Sequence, residues 1–209
     1  MSEQTKADRP WRDPWKLSIG LVVLIGILAL VFPKPETVDE DAPRELYQPP
    51  PGYTPTTQLD LSDTRCLKKT GIQEDCRLMG AQDGQIIHLF VQWDFTELQR
   101  RPGSYEIVDA WVELLENHQD QYEGAVSMAP ADRPDELPTA SPMLIGGRQD
   151  NRTLRLPSAG HSPELSALIA GWLNETALNR GVWFMVPADN DSSIDEFTPT
   201  LRFAYRIVE

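Results

Sequence analysis

Sixteen consecutive residues without a charge, Leu17–Phe32, stand near the start of a 209-residue chain, and almost everything chemically varied lies on their C-terminal side. As a helix the run would rise about 24 Å at ~1.5 Å per residue. That is a little less than the ~30 Å hydrocarbon core of a bilayer. The flanks make up the difference: Trp11 and Trp15 suit the headgroup zone, Lys16 can reach back to water, and Pro33 and Pro35 end the helix on the other side. A cleaved signal peptide begins in the same way. However, no small-x-small pair leads into Pro33-Lys34-Pro35-Glu36, and no cysteine stands there to accept a lipid. The sequence therefore predicts a cytoplasmic tail over 1–16 and an uncleaved transmembrane helix over 17–32.

Charge sets the expected orientation. Lys6, Arg9, Arg12 and Lys16 precede the run, whereas only Lys34 and Arg44 follow it before Gly52, so the positive-inside bias keeps the N-terminus in the cytoplasm. Residues 1–32 carry a net +1, which leaves −14 of the total −13 on residues 33–209. An exported domain so acidic repels nucleic acid, which needs clustered Lys and Arg. The acidity serves solubility first, and a basic protein outside the membrane is the one charged partner it would favour.

Residues 33–57 contain seven prolines and an acidic cluster at Glu36–Asp41, with little periodicity. Such a composition predicts a stiff stalk with Tyr47 and Tyr53 in solvated linker. Residues 58–209 suit one domain with one core. Ile87, Leu89, Val91, Trp93 and Phe95 alternate along Gln85–Phe95 and share a strand face; Ile107–Leu115, Thr153–Leu156, Gly181–Val186 and Thr200–Val208 are further strand segments. Only Pro163–Asn174 reads as helix, with Leu165, Leu168, Ile169 and Trp172 at helical spacing behind Ser162 as N-cap. Cys66 and Cys76 are the only cysteines. In an oxidising compartment they are expected to form a local disulfide. Two free buried thiols are the alternative, and metal ligation is disfavoured because neither belongs to a CxxC.

The order of segments resembles the DNRLRE type of β-sandwich, akin to jelly-roll carbohydrate-binding modules of bacterial surface proteins. That family shows L-x-x-F-D-L-S-x-L, a proline-glycine turn and A-x-L-x-L. Here stand Phe90-Val91-Gln92-Trp93-Asp94-Phe95-Thr96-Glu97-Leu98, then Pro102-Gly103, then Asp109-Ala110-Trp111-Val112-Glu113-Leu114. The family's D-V-T-x-L-V-x-x-W-x-N helix is similar to Pro163–Asn174, its N-x-G-L-L-L strand to Asn179–Met185, and its closing P-x-L-x-I-x-Y to Pro199–Tyr205. Its central T-W-N-x-x-P has no counterpart, and an Ala-Pro-rich stretch from Ala125 to Pro142 stands in that place. The resemblance implies a mainly β chain: a jelly-roll-like antiparallel β-sandwich with one short helix behind the N-terminal transmembrane helix. It also implies a bacterial setting, with the anchor in the cytoplasmic membrane and the domain in the periplasm.

Chemistry-bearing patterns are sparse. His88, His118 and His161 have no ligand-spaced partner, Gly146-Gly147 opens no phosphate loop, and no G-x-S-x-G occurs. Neither a catalytic centre nor a cofactor is expected. Asp189, Asp191, Ser193 and Asp195 alternate as calcium ligands would, but no glycine supplies the sharp turn, so an acidic turn is the favoured reading. Asn151, Asn174 and Asn190 head N-x-S/T sequons. At least two of Trp93, Trp111, Trp172 and Trp183 are expected in the core.

Two functions compete. One is a non-catalytic scaffold subunit whose helix packs among other membrane-protein subunits while its domain braces them outside. Photosynthetic reaction-centre and light-harvesting assemblies carry one-helix subunits of this kind, although no His within 17–32 could ligate a bacteriochlorophyll. The other is a membrane-tethered carbohydrate-binding or adhesion module, which needs exposed aromatic rings.

Overall fold

The computed structural model describes residues 47–56, 58–117, 125–139, 141–148, 152–158, 160–187 and 192–209. The expected tail, transmembrane helix and most of the stalk lie outside these residues, as do His118, Asn151, Asp189, Asn190 and Asp191. Among the described residues no helix is long and apolar enough to cross a membrane.

The elements run β1 (Thr54–Pro55), β2 (Leu61–Lys68), β3 (Gly71–Glu74), β4 (Leu78–Gln82), β5 (Gln85–Trp93), α1 (Thr96–Gln99), β6 (Ser104–Glu116), β7 (Val126–Pro130), β8 (Leu144–Arg148), β9 (Thr153–Leu156), α2 (Pro163–Leu173), β10 (Val182–Met185) and β11 (Ser192–Val208). The domain is mainly β, and all its strand pairs are antiparallel. The expected sandwich of two sheets is instead a closed barrel. Going round the wall, β11, β6, β9, β8, β7, β10, β5 and β4 are each hydrogen-bonded to the next, and β4 returns to β11; β1, β2 and β3 are additions. Short β4 closes the ring by pairing Gly80 with Ile87 of β5 on one side and Met79 with Asp195 of β11 on the other.

Gly80 makes that closure sterically feasible. Its φ is +150°, and a Cβ there would stand 2.2 Å from the Ser193 carbonyl oxygen and 2.7 Å from the Ile194 Cα. No larger residue fits so close an approach of backbones. The turn that feeds β4 into β5 is Asp83-Gly84, both at positive φ, the Asp-Gly pairing that a two-residue hairpin favours. Behind the closure, Cys66 of β2 and Cys76 are joined in a disulfide with Cα atoms 5.4 Å apart. The bridge packs with Ile87, Leu78 and Ile194. It returns the chain, after its excursion through β3, to the edge of β5 that β2 and β4 share.

The alternating apolar face of β5 lines the barrel core: Leu89, Val91 and Trp93 are fully or almost fully buried there with Met128, Leu154, Phe184 and Leu201. Helix α2 adds Leu165, Ile169, Trp172 and Leu173 to the same core. Its N-cap is Ser162, whose Oγ accepts from the Leu165 N–H at 3.1 Å. The sequence reading anticipates one helix, but a second, one-turn helix occurs at α1. There Asp94 turns the chain out of β5 by accepting the backbone N–H of Thr96 at 2.8 Å, an Asx turn that the strand pattern conceals.

Part of the wall is buried on both sides. Phe90 and Trp183 point away from the core yet are 0% exposed. The segment following β7 covers them: Ala131 donates to the Gly181 carbonyl at 3.0 Å, and the Trp183 indole N–H donates to the Arg133 carbonyl at 3.2 Å.

Candidate functional site

Among the described residues, a dense arrangement of aromatic and charged side chains lies outside the barrel, on the wall formed by β6 and β11. Its origin is a bulge. Arg202 of β11 faces Trp111, but Ala204 faces Val108, so Asp109 and Ala110 together oppose Phe203. Asp109 takes φ +52° to make the extra residue fit, a conformation that Asp tolerates better than most residues because its short side chain can bond locally. The extra residue also inverts which residues face inward. Tyr105 and Ile107 are buried before the bulge, and Ala110, Val112 and Leu114 after it. Trp111 is thereby turned outward.

That outward indole is only 6% exposed, because the chain crosses it. Tyr47 meets Trp111 edge to face at 4.8 Å between ring centroids, and its hydroxyl donates to Asp109 Oδ2 at 2.7 Å. Burial, with the Asp109 carboxylate beside it, raises the pKa of the Tyr47 phenol, so it stays a neutral donor. His161 adds a second ring 5.1 Å from Trp111, and the Arg155 guanidinium lies 4.8 Å from the indole centroid. The indole N–H donates to Glu113 Oε1 at 2.9 Å, and Glu113 also faces Arg202 at 3.5 Å.

Six residues further along, Tyr53 repeats the device. Its hydroxyl donates to Glu106, Arg206 pairs with the same carboxylate at 2.5 Å, and the Arg206 guanidinium lies 5.0 Å from the Tyr53 ring. The hydroxyl and the guanidinium together hold the Glu106 carboxyl below its usual range. Thr56 then donates its N–H to the Phe203 carbonyl at 2.8 Å and accepts from the Phe203 N–H through Oγ1 at 3.1 Å. Residues 47–56 are therefore a strap laid on the β6–β11 wall. Tyr47 and Tyr53 are packed on the domain, where the sequence reading puts them in solvated linker.

The other sequence-level candidates are scattered. His88 is half-buried on β5; its Nδ1 accepts the Val186 N–H at 3.2 Å, and burial lowers its pKa. Exposed His161 belongs to the Trp111 cluster. Of the calcium candidates, Ser193 and Asp195 lie on β11 and Asp189 and Asp191 outside the described residues. Asp195 is 3% exposed; its Oδ1 accepts the Glu196 N–H at 2.7 Å, while Oδ2 has no hydrogen-bond partner. Among the described residues no group of three His, Cys, Asp or Glu could hold a metal ion. Asn174 is engaged twice with the Tyr105 backbone, donating to its carbonyl at 2.9 Å and accepting its N–H at 2.7 Å. A glycan on Nδ2 would crowd the bond that this nitrogen donates to the Tyr105 carbonyl.

The strap cluster is invisible to motif reading, because its members are contributed by four separate segments. The signals that could have found it are a pair of tyrosines set among prolines and an Asp-Ala interruption in an otherwise apolar strand. No protein-family model matches this chain, and no curated protein matches it.

Proposed function

We propose that the protein is a non-catalytic, single-pass membrane scaffold subunit: residues 17–32 anchor it, and the acidic barrel braces partner subunits outside the membrane, in a bacterial periplasm. The observation that carries this reading is the strap. In the closed state the end of the proline-rich stretch packs on the barrel wall at Tyr47, Tyr53 and Thr56, which supports a surface made for contacts outside the core. The disulfide between Cys66 and Cys76 suits an oxidising compartment.

The competing reading, a carbohydrate-binding or adhesion module, calls for a flat exposed aromatic platform. Trp93, Trp111, Trp172 and Trp183 are 1%, 6%, 2% and 0% exposed, which favours the scaffold. Purification from native membranes in mild detergent tests it: stoichiometric co-purification with other membrane subunits is expected, and recovery of the protein alone, with retention on a glycan array, would reverse the choice.

A further inference from the structure

The strap is held to the barrel by a short and exposed pairing. Its strand, β1, has two residues, opposite Tyr205 and Ala204. One of the two is Pro55, which has no N–H to give a ladder. Pro51, Gly52, Thr54 and Pro55 are exposed, so little apolar area holds the segment down. Besides that short pairing, its grip among the described residues is Tyr47 against Trp111, His161 and Asp109, Tyr53 against Glu106 and Arg206, and the Thr56–Phe203 bonds. Segments with few buried contacts open far below the free energy of global unfolding. Beneath Tyr47 lies an outward-facing indole flanked by His161 and Arg155. Arg155 stands across from Glu113 in the β6–β9 register but makes no close ion pair among the described residues: it donates to the Gly160 carbonyl at 3.3 Å, and its buried Nε has no hydrogen-bond partner.

We propose that residues 47–56 are a releasable latch, and that the wall under it, Trp111 with Asp109, His161 and Arg155, is a recognition surface for an extended tyrosine- and proline-containing segment of a partner protein, which takes the latch's place. The partner's chemistry follows from what already sits there. An extended chain lays a ring against Trp111 while its phenol reaches the Asp109 carboxylate, and prolines keep it stiff at small entropic cost. This goes beyond the anchoring role and holds wherever residues 1–46 lie.

Hydrogen exchange on the full-length wild-type protein tests the latch without mutation. The Thr56 amide, bonded to Phe203, should exchange at least about tenfold faster than the amides at the centre of β6. If it exchanges only with the whole barrel, the latch is disproved. Recognition is tested with full-length Tyr47→Ala/Tyr53→Ala, probed by a synthetic peptide of residues 45–57. Acrylamide should quench one more tryptophan in the variant than in the wild type, and adding Trp111→Phe should abolish that difference. The peptide should restore protection in the variant and bind the latched wild type far more weakly. Equal binding to both, or no binding to the variant, refutes the recognition surface. Loss of the cooperative thermal transition in the variant would show the strap to be an integral part of the fold, and would sink the latch too.

Discussion

Asp109 concentrates several demands in one side chain. It accepts the Tyr47 hydroxyl, sits at positive φ and supplies the residue that inverts the sidedness of β6. Asp109→Ala removes the acceptor and leaves a residue with no local bond in the left-handed region; a loss of about 1–2 kcal/mol is expected in urea unfolding. Asp109→Asn, which tolerates that φ and can still accept, should lose less than half as much. His88 sets a second expectation. Its folded pKa lies below the unfolded value of 6.5 because burial penalises the imidazolium. As pH falls from about 6.5 through the folded pKa the unfolded chain binds more protons, so stability drops in that window and is unaffected by this group above it. His88→Gln can keep an acceptor for the Val186 N–H without titrating, so its stability should fall less between about pH 7 and 5. Superimposable curves for the two proteins would mean that the imidazole is solvated.

At the scale of elements, local periodicity made β5 and α2 legible: the first alternates cleanly, and the second has both its cap and its helical spacing. β6 reads only as an apolar run, because the bulge at Asp109 shifts its alternation partway along. Strand β4 gives almost no signal, since Leu78–Gln82 is short and holds the glycine that strand propensity disfavours. Yet that glycine separates a barrel from a sandwich, and nothing local in the sequence says that both edges of β4 will be paired. Gly80→Ala must push β4 away from Ser193 and Ile194. A cost of about 2–3 kcal/mol is expected in chemical denaturation, with raised hydrogen exchange at the β4–β11 pairing and much less change in β8 and β9. Reducing the Cys66–Cys76 bond, which closes a loop of ten residues, should cost about 2–3 kcal/mol by loop entropy. Proteolysis under reducing conditions should then nick first between residues 68 and 78; an unchanged cleavage pattern would show that packing alone holds that excursion.

For the molecule as a whole, composition and pattern conveyed a mainly β domain behind a proline-rich segment. They did not convey the outer surface of that domain, because surface clusters depend on which distant segments the topology brings together. Removing residues 1–32 should leave a folded, monodisperse barrel, since residues 47–209 form a compact unit by themselves. Its melting temperature should stay within a few degrees of the parent's, and a larger fall would mean that the N-terminal segment contributes to the core. The doubly buried part of the wall also constrains the order of folding. The segment after β7 is fastened to Gly181 and Trp183, so it can settle only once β10 has taken its place between β5 and β7. Until then the outer rings of Phe90 and Trp183 face water, and a half-assembled chain shows its neighbours an adhesive band that the finished protein does not possess. Opening of that cover alone would therefore give an otherwise folded barrel an aggregation-prone face.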